Sequence, residues 1–483
     1  MASVSPAGII NIYRPITIIN FGLFKFTKMG CILMKTEISL RPTSSKGLPL
    51  IAGIIGFIFT LGGSGAQADV ASIDWSAAPV KTVTLFYPGQ SSYQWLRSSK
   101  HKRANKKTAQ GEACISCHEG EEADIGNLIA AGERLEPNPI PGKEGVKSLK
   151  VQALHDSEYL YFRFQYKSQF DREGRMHNMI RYDGKEWQWY GSHRASSKVR
   201  SGEQPPLYED RLAIMIDDGS VPMFAAQGCW LTCHDSMRDM PAAPSKTEVK
   251  AHPYLGSEMK KSDIRKYLPA SRTDETASWD KTKTADEIAA LKSAGGFTDL
   301  MQWRVARSNP VGMADDGYVL QYRNFDSGKK MFSWNLDRKT MTPKFMFDSA
   351  KTGYIALREA DFMDQSKMVA VIKGDNSKPY DSGAGFKEGD ILPGRLLTTT
   401  TEGSAGDNDY ARGTWDNDVY TLVFRRKLDT GNPQDDKILK AGGVYTIGLA
   451  IHDDNVTTRF HHVSFPLTLG IGADADIRAE TLK

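Results

Sequence analysis

Two short stretches concentrate the reactive side chains of this sequence. "EACISCHEGEE" holds Cys114, Cys117 and His118 as an unbroken C-x-x-C-H, and "GCWLTCHDSM" holds Cys229, Cys233 and His234 with three residues rather than two between the thiols. In the first spacing two thiols can add across the vinyl groups of a haem, and the histidine directly after the second thiol turns under the porphyrin to meet the iron. A zinc half-site is the competing reading, and it lacks a second half of matching spacing. The longer bridge of the second stretch keeps the Cys-His adjacency that places an axial imidazole, so a second covalent haem is expected there, against a free-thiol pair or a metal site. The fifth cysteine, Cys31, lies near the N-terminus. Disulfides between such close neighbours would be strained and would leave His118 and His234 unexplained.

A six-coordinate electron-transfer haem needs a second axial group, usually His or Met, whose identity helps set the potential. The other histidines outside the two motifs are His101, His155, His177, His193, His252, His452, His461 and His462. His155 and His177 are the first choices for the first haem. "RFHHVSFPLTLGI" reads as a strand in which His461 and Val463 face one way and His462 and Ser464 the other, so one of the pair faces a buried cofactor whichever way the strand is set. Met237 and Met240 follow His234 too closely to reach the opposite haem face; packing on the porphyrin edge is expected of them.

The elements that must position these residues are mainly β. "SLKVQALHDSEYLYFRFQYKS" holds two β-rich runs, Leu149 to Leu154 and Tyr159 to Tyr166, split by the turn His155-Asp156-Ser157-Glu158, which predicts a hairpin. Similar runs recur at "RLAIMIDDGS", "GYVLQYRNF", "VYTLVFRRKL", "VYTIGLAIHDD" and "HHVSFPLTLGI", and several such strands predict a β-sandwich. From about 240 to 296 the composition shifts to Lys, Ser, Ala and Asp with helical patches, read as an insertion covering the second haem. The basic "RSSKHKRANKK" before the first motif and "EGEEAD" after it are read as a solvated loop or, more sharply, as charges framing an exposed haem edge and orienting a redox partner.

The 483 residues are 40% hydrophobic and 25% charged, as in an ordinary globular protein. Residues 1–68 read as a leader: a basic region, an apolar run from Leu48 to Leu61, then Ala66-Gln67-Ala68, the small-x-small pattern of a cleavage site. The run is short for a span of about 20 residues and is broken by Gly53 and Gly56, so a cleaved signal is expected and membrane association only if it is retained. Met34 is a second candidate start, which would leave residues 1–33 untranslated. Without the leader the chain carries 56 basic and 57 acidic residues, so no global field argues for nucleic acid. The expected organisation is a leader over 1–68, a short haem c segment over 69–144 and a sandwich over 145–483. No P-loop, dinucleotide fingerprint, G-x-S-x-G or H-E-x-x-H is present.

"VQALHDSEYLYFRFQYK", "YEDRLAIMIDDG…FAAQGCWLTCHD", "YTIGLAIHDDN" and "FHHVSFPLTLG" together resemble the haem-binding domain family named for the ethylbenzene dehydrogenase γ subunit, also described as cytochrome c-552/DMSO reductase-like. The resemblance runs from about Gly145 to Ile471. It implies a sandwich related to carbohydrate-binding-like folds that holds one haem between its loops and passes electrons for or from a molybdopterin oxidoreductase or a respiratory chain. The γ subunits hold a non-covalent b-type haem through Met and Lys. Here the Cys229 pair falls where that Met lies, so His234 looks like its replacement, and the Lys position falls near His461 and His462. The N-terminal C-x-x-C-H is additional to the γ subunits, as in the multi-domain c-type members that the sequence resembles.

These readings converge on an exported, periplasmic dihaem c-type cytochrome that moves single electrons to or from a partner protein such as a molybdopterin oxidoreductase or another cytochrome. The runner-up is an enzyme with a five-coordinate haem that reduces peroxide or a nitrogen oxide. A third, a sugar-binding sandwich that merely carries haem, would need an aromatic groove of the kind Trp187, Trp189 and Tyr190 could line.

Overall fold

Thirteen strands make up the main sheet. They are β1 (Lys81–Phe86), β2 (Val146–His155), β3 (Tyr159–Lys167), β4 (Arg211–Asp217), β5 (Thr298–Arg304), β6 (Gly317–Val319), β7 (Arg323–Phe325), β8 (Tyr410–Asp416), β9 (Val419–Lys427), β10 (Val444–His452), β11 (His462–Val463), β12 (Leu467–Ile471) and β13 (Ile477–Thr481). The structure is a computed structural model that describes residues 70–483 except 134, 138, 141, 169–177, 192–200, 202–207, 363, 365, 407, 409 and 454–460. The leader and His177 lie outside the described residues, and residues 67–483 form one compact unit.

The β2–β3 hairpin forms where the alternation predicts it, with Leu149 opposite Tyr166 and His155 opposite Leu160. Asp156 fixes the turn because one carboxylate oxygen accepts from the backbone of both Glu158 and Tyr159. Across the sheet the order is β8-β9-β3-β2-β1-β11-β10-β4-β5-β6-β7, while β13 bridges β2 and β12, and β12 returns to β10. The sheet thereby folds into two layers. Leu149, Val151, Phe162, Phe164, Leu422 and Phe424 from β2, β3 and β9 meet Leu212, Ile214, Met301, Trp303, Ile447 and Leu449 from β4, β5 and β10 in one core. Each strand contributes every second residue, the period that a half-buried strand imposes, and the result is the mainly β sandwich expected from the sequence.

The helical patches lie in the connection from β4 to β5. Lys246–Ala251 and Ala285–Ser293 each begin at a capping box, Ser245 with Glu248 and Thr284 with Glu287, so S-x-x-E and T-x-x-E mark the two starts. Val249, Leu255, Ile264, Tyr267 and Ile288 from this connection pack with Trp230 and Leu231 of the second cysteine motif.

An excursion between β7 and β8 carries short strands, among them Phe345–Phe347, Val371–Ile372 and Ile391–Pro393, around a core of its own. Strands of two or three residues leave no periodic signal, and sequence reading placed no element there. Trp187 is buried in that core with its indole N–H on the Tyr380 hydroxyl, while Trp189 is exposed beside Trp334. Among the described residues no helix is long and apolar enough to cross a membrane.

Candidate haem sites

The first motif sits on a single helical turn, Ile115–His118, tied to the rest of the molecule by a backbone bond from Cys114 N to Ala226 O at 3.1 Å. Cys114, Cys117 and His118 line an apolar cavity of about 200 Å³ with Phe86, Leu96, Ile129, Trp230 and Phe465, and it opens onto a wider depression of about 670 Å³. His101 lines both. Burial pushes the Cys114 thiol up to about 11, which suits a thiol whose fate is a thioether rather than a thiolate nucleophile.

His101 and His118 face each other with ring centroids 6.2 Å apart and planes inclined by only 14°. Metal–imidazole bonds of about 2 Å on opposite sides of one iron would set the two centroids about 6 Å apart. Nδ1 of His118 lies 2.8 Å from the Glu121 carboxylate, and Nδ1 of His101 lies 2.9 Å from the Leu96 carbonyl. Each Nδ1 faces an acceptor and therefore carries the proton, which leaves both Nε2 lone pairs available to a metal. The donor set, the apolar walls and the paired tautomers all fit a c-type haem held by His118 and His101. His155, in contrast, ends β2 with Nδ1 on the Asp156 carbonyl and Nε2 beside Thr481, and it is not among the residues lining this cavity.

The second motif is a 3₁₀ turn, Gly228–Thr232, buried throughout. It starts at Gly228, whose φ of +52° favours glycine and whose missing side chain makes room for Pro466. Cys229 lines a cavity of about 970 Å³, together with His452, His461, Met215, Met237 and a wall of cations. Gly448 on β10 admits this thiol, since a Cβ there would come within 2.7 Å of the sulfur. Among the described residues eleven Lys and Arg side chains line the cavity and no carboxylate does. Six of the cations reach carboxylates behind it: Arg211 and Arg307 pair with Glu209, Arg304 and Arg323 with Asp315, and Arg238 and Arg265 with Asp263. Lys261, Lys266, Lys330, Arg338 and Arg395 have no carboxylate partner among the described residues, a surplus that suits the propionates of a bound haem.

His234 is turned away from that cavity. Its ring stacks on Tyr267 at 3.6 Å, Nε2 lies 2.7 Å from the Tyr267 carbonyl and Nδ1 lies 3.3 Å from the Gln94 amide. Burial first, then the nearby Arg272 and Lys266, hold the imidazole neutral by lowering it to about 3. The Cys229 thiol, the volume and the charge therefore fit a second haem, while Cys233, whose sulfur lies 3.5 Å from the Ser91 carbonyl, is not among the residues lining the cavity, and the His234 ring would have to leave Tyr267 to ligate it. Of the C-terminal pair, His461 faces the cavity and stacks on His452 at 4.8 Å, whereas His462 points the other way with Nε2 2.8 Å from the Glu144 carbonyl. The strand alternation thus puts His461, not His462, on the cavity side. His452, at the end of β10, is buried, and its Nδ1 has no partner among the described residues.

The two sites share a wall. Trp230 lies inside the second motif yet lines the first cavity, stacking on Phe86 at 5.4 Å and meeting Phe465 at 5.8 Å. Phe465 in turn lies parallel to His118 at 6.4 Å.

A family model described as ethylbenzene dehydrogenase matches residues 72–464, a span containing both motifs and the histidine pair. The chain belongs to the ethylbenzene dehydrogenase family. It is similar to a cytochrome c-552 of Stutzerimonas stutzeri, 27% identical over 431 residues that cover 89% of this chain and 98% of that protein. It is also similar to a cytochrome c-551 of Rhodocyclus tenuis, 28% identical over 177 residues, 36% of this chain and 60% of that one. In this member of the ethylbenzene dehydrogenase family, sequence reasoning kept His101 only as one histidine among many. Its signal was nearness: it stands in the basic stretch just before the C-x-x-C-H, where a short helical return brings it over the motif.

Proposed function

We propose that this protein is a c-type cytochrome that carries two covalent haems and passes single electrons. The observation that carries the reading is the His101–His118 pair, two near-parallel imidazoles with centroids 6.2 Å apart, each with Nδ1 on an acceptor, in one cavity with Cys114 and Cys117. Bound there, haem iron supplies reversible one-electron chemistry at a potential set by its axial ligands and burial. His101 and His118 would hold that iron, Leu96, Ile129 and Phe465 would exclude water from it, and exposed Lys100, Lys102, Arg103 and Lys107 stand at the mouth of the site. Those cations favour encounter with an acidic face of a partner, such as a molybdopterin oxidoreductase or another cytochrome. Cys229 and Cys233 would attach the second haem, which His461 and, once released from Tyr267, His234 would hold. Trp230 and Phe465 stand in the wall that the two sites share and would supply an aromatic bridge between bound haems. The leader over 1–68 directs the chain to the periplasm and is removed there.

Two results test this reading. A pyridine haemochrome assay on the purified protein is expected to give two haems c per chain; a single haem would remove the second site. Low-temperature EPR on His461→Ala is expected to show loss of one low-spin signal, and on His462→Ala to show none, because only His461 faces the cavity.

One observation favours a second reading, a five-coordinate haem that reduces a small nitrogen oxide or peroxide. The five cavity cations without a carboxylate partner outnumber two propionates and could hold an anionic substrate. Rapid carbon monoxide binding to the reduced wild-type protein would support this reading, and no binding would remove it.

A further inference from the structure

Away from both haem sites, five aspartates converge where the sheet meets the connection between β9 and β10. They are Asp299 on β5, Asp316 just before β6, Asp326 just after β7, and Asp435 and Asp436 in that connection, each no more than 4% exposed. One carboxylate oxygen from each of Asp299, Asp316 and Asp436 can be chosen so that all lie within 4.8 Å of one another, and the same holds for Asp326, Asp435 and Asp436. Two oxygens on opposite sides of a calcium ion, each about 2.4 Å from it, are separated by about 4.8 Å.

Proximity of acids would prove little alone, but the hydrogen bonding leaves a gap here. Both oxygens of Asp326, Oδ1 of Asp299 and Oδ2 of Asp436 are buried without a hydrogen-bond partner. Asn408, 2% exposed, donates its amide to Asp316, and its side-chain carbonyl oxygen is likewise buried without a partner. The cations at hand are committed or too few. Arg426 bonds Asp299 at 2.6 Å, while the Lys437 ammonium is held by Asp218 at 2.6 Å and Asp217 at 3.7 Å. One guanidinium cannot balance five buried carboxylates, and burying uncompensated charge is prohibitive. Burial above all, and then mutual repulsion, push Asp316 and Asp326 far above the carboxylate range and Asp436 up to about 8.

We propose that Asp299, Asp316, Asp326 and Asp436, with the side-chain oxygen of Asn408, form a buried structural site for one calcium ion. A buried all-oxygen set of carboxylates and a carbonyl is the donor set of calcium rather than of magnesium, which keeps several waters. The ion ties the β5–β7 end of one layer to the connection that leads into β10, the strand bearing His452. It does not depend on how the haems are bound.

The test uses the full-length, haem-loaded protein. Mass spectrometric metal analysis after desalting is expected to find about one calcium per chain. Chelation with EGTA is expected to lower the melting temperature by several degrees, and added CaCl₂, but not MgCl₂, to restore it. Asp326→Asn and Asp436→Asn are expected to lose both the bound calcium and the response to EGTA. Wild-type protein without calcium and with a melting temperature indifferent to EGTA and CaCl₂ would overturn the proposal, as would equal rescue by MgCl₂. If either variant is stabilised while the wild type holds no calcium, the cluster is a set of protonated acids and the proposal falls.

Discussion

His101→Ala is expected to turn the first haem from low-spin six-coordinate to high-spin or water-ligated, and to let the reduced protein bind carbon monoxide at that iron. The variant removes the imidazole whose ring centroid lies 6.2 Å from that of His118, and among the described residues no third histidine lines the cavity. About half of the low-spin EPR intensity should disappear if two haems are present. His155→Ala should leave the spectrum unchanged, because His155 is held at the end of β2 by the Asp156 carbonyl. His101→Met keeps a ligand but replaces imidazole with thioether, and a rise in potential on the order of 0.1 V is expected within the roughly 0.8 V that axial ligation spans. A wild-type spectrum for His101→Ala would refute the axial role. His118 bonds Glu121 through Nδ1 and should keep its orientation in either variant.

The largest effect on stability is expected at Trp303→Ala. Trp303 stands on β5 with no exposed surface and belongs to the core between the layers. Its indole N–H bonds the Asn309 side chain at 3.0 Å and its ring meets Tyr420 edge-on at 5.4 Å. Gly413 on β8 lies so close that a Cβ there would approach the ring to 2.4 Å, so a cavity left by Trp303 borders two strands whose backbones cannot collapse freely. Removing the side chain should cost about 3–5 kcal/mol, read as a lower denaturant midpoint at unchanged m-value. A loss below about 1 kcal/mol would mean that the layers repack around the gap. Gly413→Ala pushes on the same ring from the other side and should also destabilise.

Much of this architecture is legible before any tertiary information. Alternation over Leu149 to Tyr166 specifies a hairpin because a one-residue slip would expose a whole face, and Asp156 supplies the turn. Capping residues Ser245 and Thr284 announce their helices because helix starts need side-chain acceptors. The short strands between β7 and β8 are not legible, since two or three residues carry no period and owe their form to the partner across from them.

A C-x-x-C-H pattern is local, so the sequence by itself determined the two cysteine pairs with their adjacent histidines as candidate sites, and the layered β fold that surrounds them. The placement of the remaining histidines depends on contacts between distant segments, and only the tertiary structure decided that. It brought His101 across from His118, turned His461 rather than His462 to the large cavity, stacked His234 on Tyr267, and gathered aspartates from positions 299 to 436 into one buried cluster. A histidine or an aspartate reads the same in sequence whether it meets solvent, a carbonyl or a metal; which of these it meets is fixed by the packing of strands far apart in the chain.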